Sequence, residues 1–131
     1  MDTKPHQLRS TLDPALSLMV DGKEILEAIV IDYKNNIVRC FPCNISMTKI
    51  HNIIKLIDLM NITRMRLLED YIVVNIGKSK AIIFPLRRST LLVLFIRPGI
   101  DAHKIALNML HVLDRIKNIS RTNAPLCNYE R

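Results

Sequence analysis

The chain has 131 residues, of which 49% are apolar and 24% are charged, so it suits one domain with its own core and excludes a large cofactor-binding scaffold. Lys and Arg total 19 against 12 for Asp and Glu, and the net charge of +7 permits nucleic-acid binding without indicating it, because no basic run exceeds two residues. No apolar run reaches the ~20 residues that cross a bilayer, and residues 1–10 lack a hydrophobic signal segment, so we expect a soluble cytoplasmic protein without membrane contact.

The first predicted element is a short helix over about residues 14–20. Asp13 before Pro14 is typical of an N-cap followed by the first helical turn, and Asp21-Gly22 is typical of a helix stop. Residues 1–12 precede this helix, and we interpret them as a flexible N-terminus.

A β-hairpin and a long helix are predicted next. Residues 25–31 are apolar and mostly β-branched, residues 33–36 offer a turn, and residues 37–41 form the partner strand, which ends before Pro42 because proline cannot donate to a strand ladder. Ser46 then caps an amphipathic helix that ends at about Met60.

The second half of the chain predicts an antiparallel meander and another helix. No prediction is made for residues 62–70. The predicted strands are 71–76, 81–84 and 91–96, joined by the turn 77–79 and by a loop over Pro85–Ser89. The second long helix begins near Asp101 and ends near Lys117, and residues 120–131 form a C-terminal tail.

These elements predict an α+β fold with a five-stranded antiparallel sheet and helices on both faces. Five strands make a sheet about 24 Å wide, whereas one helix covers about 10 Å of it, so a face served by one helix should be half bare. The apolar residues of the first long helix also span roughly half its circumference, which is wider than the ~100° stripe of a helix with one apolar neighbour. Both observations predict a homodimer in which this helix packs beside its symmetry mate.

The predicted dimer interface combines residues of the first long helix with two residues of the strand that follows it. These residues are Met47, Ile50, Ile53, Ile54, Ile57, Met60, Tyr71 and Val73.

The pattern resembles the Roadblock/LC7 domain family, which includes MglB-like proteins and dynein light chains. The resemblance covers about residues 16–118, in the hairpin EAIVIDYKNNIVRCFP, the amphipathic helix after it, and the block of residues 71–116 with its strand, turn, strand, loop, strand and helix. Two departures are the turn Asn35-Asn36, where an acidic residue and glycine are common, and a short opening helix that contains Pro14. Profilin-like and longin domains share a related layout and rank second as folds.

The resemblance implies a Roadblock/LC7-like domain over residues 13–119 and a dimer with a joined ten-stranded sheet. It also implies a non-catalytic interaction module that binds and regulates, or scaffolds, a small Ras-like GTPase. The chain does not itself resemble a GTPase, because Gly22, Gly77 and Gly99 cannot form a phosphate-binding loop. No cofactor or metal is expected.

Two further readings remain open. Cys40-Phe41-Pro42-Cys43 is a C-x-x-C motif that closes a strand rather than opening a helix, so reduced thiols at a strand end are favoured over a redox centre, although Pro42 bends the segment enough for a disulfide. The alternative function is a basic dimeric nucleic-acid-binding protein that uses Arg87 and Arg88 at a loop with Lys78 and Lys80 at the neighbouring turn.

Overall fold

The computed structural model describes residues 9–59 and 69–122. They form six strands, two α-helices and one 3-10 helix. The strands are β1 (Arg9–Leu12), β2 (Ile25–Asp32), β3 (Ile37–Phe41), β4 (Ile72–Ile76), β5 (Ser79–Arg87) and β6 (Thr90–Ile96). The helices are the 3-10 helix (Pro14–Met19), α1 (Met47–Leu59) and α2 (Ala102–Thr122).

The helices begin where the sequence predicts. Asp13 caps the 3-10 helix, where its Oδ1 accepts a hydrogen bond from the Ala15 amide at 3.0 Å. The Ser46 Oγ accepts one from the Lys49 amide at 3.2 Å and so caps α1. At the far end of the chain, α2 continues to Thr122 and includes the first residues of the predicted tail.

One mixed sheet holds all six described strands in the order β1-β3-β2-β6-β5-β4. Every neighbouring pair from β3 to β4 is antiparallel, as predicted, but the prediction of five strands is wrong, because β1 adds a sixth that runs parallel to β3. Residues 9–12 were assigned to the flexible N-terminus. Their pairing is by backbone, from Arg9 opposite Ile37 to Leu12 opposite Cys40, and such pairing needs no apolar repeat.

The predicted helices on both faces of the sheet are confirmed. The face of α1 buries Ile50, Ile53 and Ile57 against the odd-numbered residues of β2 and β6. On the opposite face, α2 and Leu16 of the 3-10 helix pack against the even-numbered residues of the same strands. Alternation along each strand therefore supplies two separate apolar cores.

The expectation of a half-bare sheet face is wrong for the described strands. The central side chains of both faces are buried within one copy, with exposed fractions from 0% to 9%. Partly buried apolar residues of α1 itself and of the elements around it cover the margins of this face, and the members from α1 explain its wide apolar arc. These residues are Tyr33, Ile45, Met47, Ile54, Leu56, Ile72 and Ile76.

Strand β5 is longer than predicted. The sequence predicts a loop at Pro85, but β5 continues through it to Arg87, with a register shift between these two residues. The pairing of β4 with β5 ends at Ile83, so among the described strands Pro85 has a partner only in β6, opposite Leu91. A proline fits such a one-sided position because it lacks an N–H to donate.

No helix in the described part of the chain is long and apolar enough to span a membrane.

We expect Ile53→Ala to lower the free energy of unfolding by about 2–5 kcal/mol, because Ile53 is 0% exposed between α1 and the sheet. Leu59→Ala is the matched control on the same helix, since Leu59 is 80% exposed, and its effect should stay within about 0.5 kcal/mol. Urea unfolding followed by circular dichroism measures both. Equal losses would contradict this orientation of α1.

Candidate functional site

The predicted dimer-interface residues do not form one surface. Ile50, Ile53 and Ile57 are buried in the core of the same copy, where they contact the sheet. Tyr71 and Val73 pack on the opposite face, beside the core that α2 covers. Met47 and Ile54 are partly buried at the margin of the α1 core, and Met60 lies outside the described residues.

The outer edge of β4 is the surface best suited to binding another chain. β4 is the last strand of the sheet, and no strand of the described residues pairs with its outer side. Its sequence, IVVNI, contains no charged residue and no proline, which are the usual means of blocking an exposed sheet edge. At the opposite end of the sheet, the edge strand is β1, which has only four residues and includes the charged Arg9.

The start of β4 is attached to α2 by one polar contact. Tyr71 Oη lies 2.8 Å from His103 Nδ1, and the Tyr71 ring also lies beside Phe84, with 6.2 Å between the ring centres. On the other side of Tyr71, Glu69 and Asp70 precede the strand and line a shallow depression with it. The chain is thereby held to α2 at Tyr71, one residue before β4, and is acidic just before that.

The four basic residues of the alternative function do not form one cluster. Lys78 and Lys80 lie at the start of β5, whereas Arg87 and Arg88 lie at its end. Lys80 and Arg87 are seven positions apart along the strand, a distance of about 23 Å. Successive turns of a meander lie at opposite ends of the shared strand, so the description of these turns as neighbours is wrong in space.

Cys40 and Cys43 are joined by a disulfide, with 5.2 Å between their Cα atoms. This separation is typical of protein disulfides. The two residues differ in surroundings, because Cys40 is 1% exposed within the α1 core and Cys43 is exposed beyond the end of β3. The favoured prediction of two reduced thiols thus differs from the structure, and the alternative that Pro42 permits a disulfide agrees with it.

Glu27 is the buried charged residue of the described chain, at 6% exposure. Its Oε2 accepts a hydrogen bond from the Asn44 amide at 3.0 Å, directly after the disulfide. Burial raises the pKa of the Glu27 carboxyl, while the amides of Asn44 and Ile45 and the charge of Lys49 act in the opposite direction. Glu27 therefore fixes the chain between Cys43 and α1.

Sequence reasoning did not select Glu27 or the contact between Tyr71 and His103. Glu27 had a visible signal, since it is an acidic residue inside the apolar strand of residues 25–31. Tyr71 and His103 are 32 positions apart, and nothing in the sequence pairs them.

The sequence matches no protein-family model, and it matches no curated protein closely. The function of the chain must therefore be inferred from its geometry and from the resemblance of its sequence pattern.

We expect Glu27→Gln to make the protein more stable at pH 7. The folded-state pKa of Glu27 is raised, so the stability that its neutral form contributes is lost as the pH rises from the ordinary value of 4.5 through the raised value. The amide of Gln can still accept from Asn44 without becoming charged. The gain over the natural protein should shrink below pH 4.5.

Thermal unfolding from pH 3 to pH 8 measures this difference. Glu24→Gln is the control, because Glu24 is exposed and precedes the same strand, and it should show no comparable pH-dependent gain. A loss of stability in Glu27→Gln that is equal at every pH would contradict a destabilising charge at this position.

Proposed function

We propose that the protein is a non-catalytic interaction module that dimerises through the edge of β4 and binds a small Ras-like GTPase. The unblocked apolar edge of β4 is the observation that carries the dimer. The choice of GTPase depends on the Roadblock/LC7 resemblance, and the element order from β2 to α2 supports it, with a hairpin, a helix, a three-stranded meander and a second helix.

The residues around β4 are complementary to a second copy of the same strand. Homodimers usually have a two-fold axis, and an axis at Val74 pairs all five residues of β4 in antiparallel fashion, with Ile72 opposite Ile76 of the second copy. Asp70, two residues before β4, and Lys78, in the turn after it, then lie at the same end of the joined strands, one from each copy. Each end of the joined strands then carries one acidic and one basic residue.

The same axis also brings the two copies of α1 together. An axis perpendicular to the sheet keeps both helices on one face, and α1 contacts β4 within each copy. The helices therefore flank the axis in the proposed dimer. The joined sheet would have twelve strands instead of the ten that the resemblance implies, because β1 adds one strand at each far edge.

A partner GTPase would bind a surface that such a dimer creates. The outward side of α1 is polar, and two copies side by side double its extent. Its exposed polar residues are Thr48, His51, Asn52, Lys55 and Asp58, and Leu59 is exposed at its end. A surface of this kind can order the switch loops of a GTPase without a catalytic residue of its own. Nucleic-acid binding has less support, because its four candidate residues lie at two ends of β5.

We expect Asp70→Lys to weaken the dimer about tenfold, because it creates two symmetric pairs of like charges, each worth roughly 0.2–1 kcal/mol. The double variant Asp70→Lys with Lys78→Asp reverses both charges and should restore the affinity. Sedimentation equilibrium at micromolar protein measures both. The interface is contradicted if the natural protein is monomeric at micromolar concentration, or if the double variant dimerises as weakly as Asp70→Lys does.

We expect purified Ras-like GTPases from the same genome to bind the natural protein and to change their rate of GTP hydrolysis or nucleotide exchange. Isothermal titration calorimetry and a hydrolysis assay measure the two effects, with the Asp70→Lys variant as the control that should bind more weakly. Absence of binding by every such GTPase, together with RNA or DNA binding that persists near physiological salt, would favour the nucleic-acid function instead.

A further inference from the structure

The C-x-x-C motif has no place in the proposed interaction function, yet its two sulfurs are arranged asymmetrically. Cys40 is the residue of β3 opposite Ile29 of β2 and is buried. Cys43 lies three positions later, outside the sheet, and is exposed. A thiolate from solution can therefore approach the disulfide at Cys43, whereas the core shields Cys40.

We propose that Cys40 and Cys43 form a reversible thiol–disulfide exchange site, with Cys43 as the attacked sulfur and Cys40 as the leaving sulfur. The substrate class is a dithiol reductant. This site is independent of the proposed dimer and of its partner.

The exchange proceeds in two displacements. A thiolate of the dithiol attacks Cys43 Sγ, a new bond forms between these sulfurs, the bond from Cys43 to Cys40 breaks, and Cys40 leaves with the electron pair and takes up a proton. The second thiolate of the reductant then attacks the reductant sulfur that is bonded to Cys43. The mixed disulfide breaks, and Cys43 is released as a thiolate. The protein gains two electrons, and the reductant becomes a disulfide.

The fold around the motif can hold the reduced form. Cys40 Sγ lies 3.5 Å from the Thr11 carbonyl oxygen of β1, so the released thiol has an acceptor in place for its proton. The turn after the motif is fixed by hydrogen bonds rather than by the sulfurs, because the Asn44 amide donates to Glu27 at 3.0 Å and also lies 3.0 Å from the Pro42 carbonyl oxygen. Breaking the disulfide leaves these bonds intact.

The thiols of Cys40 and Cys43 also differ in their expected reactivity once the disulfide is reduced. A thiol reacts through its thiolate, which burial in apolar surroundings disfavours and contact with water permits. Cys43 should therefore be the reactive thiol of the reduced protein. Cys40 should react only after Cys43 or after unfolding.

The test uses a Cys127→Ser background, which removes the remaining cysteine. Incubation with excess oxidised glutathione should leave neither a thiol that iodoacetamide can alkylate under denaturing conditions nor a bound glutathione, and reduced dithiothreitol should restore two thiols, as read by intact mass. In single variants on this background, the Cys43 thiol of Cys40→Ser should react with a maleimide at least about tenfold faster than the Cys40 thiol of Cys43→Ser. Denaturant should make the two rates equal.

Two results would overturn the proposal: thiols that stay free after excess oxidised glutathione, or equal rates for the two cysteines in the folded protein. Because Cys40→Ser alters the core, limited alkylation of the reduced Cys127→Ser protein followed by peptide mapping gives a second measurement. Labelling of Cys43 before Cys40 supports the proposal, and the reverse order contradicts it. Sedimentation of the same samples reports the dimer separately, so failure of one proposal does not imply failure of the other.

Discussion

Strands β2, β5 and β6 carry apolar side chains on both faces, and this property determines how the rest of the chain is arranged. Residues such as Ile82 and Ile83 alternate between the two faces and are both 0% exposed. Each fully buried side chain of this size contributes roughly 1.5–3 kcal/mol of transfer free energy, so neither face can be left in water. One helix on each face meets this requirement, with α1 on one side and α2 on the other.

Because the helices cover both faces of the sheet, its exposed backbone lies at the two edges. The edges differ, because the edge strand β1 has four residues and carries the charged Arg9, whereas the edge strand β4 has five residues with no charge or proline. Sheet edges with these properties pair readily with another strand. The proposed dimer therefore depends on the edge of β4 rather than on bare sheet faces, with Asp70 and Lys78 as residues of opposite charge at each end of the proposed contact.

Apolar periodicity was enough to predict β2, β3, the two long helices and the meander, because each buries a regular face. It could not predict β1, since Arg9–Leu12 pair by backbone and leave no apolar repeat. Comparing the width of one helix with the width of the sheet overestimated the uncovered area of the sheet face. The comparison leaves out residues at the margin, such as Tyr33 and Leu56, which cover part of that area. The basic residues were also misplaced, because adjacency of turns along the chain does not give adjacency in a meander.

Position in the sheet separates the two proposed sites. β3, which carries Cys40, and β4 are four strand spacings apart, or about 19 Å, with β2, β6 and β5 between them. The strands between them are packed on both faces. We therefore expect little displacement to be transmitted through these strands from one edge to the other. Glu27 connects the disulfide turn to the start of α1, because its carboxylate accepts from Asn44 and lies near Lys49. Among the described elements, α1 follows the disulfide turn and also contacts β4, so it is the route by which the cysteines would affect the proposed dimer.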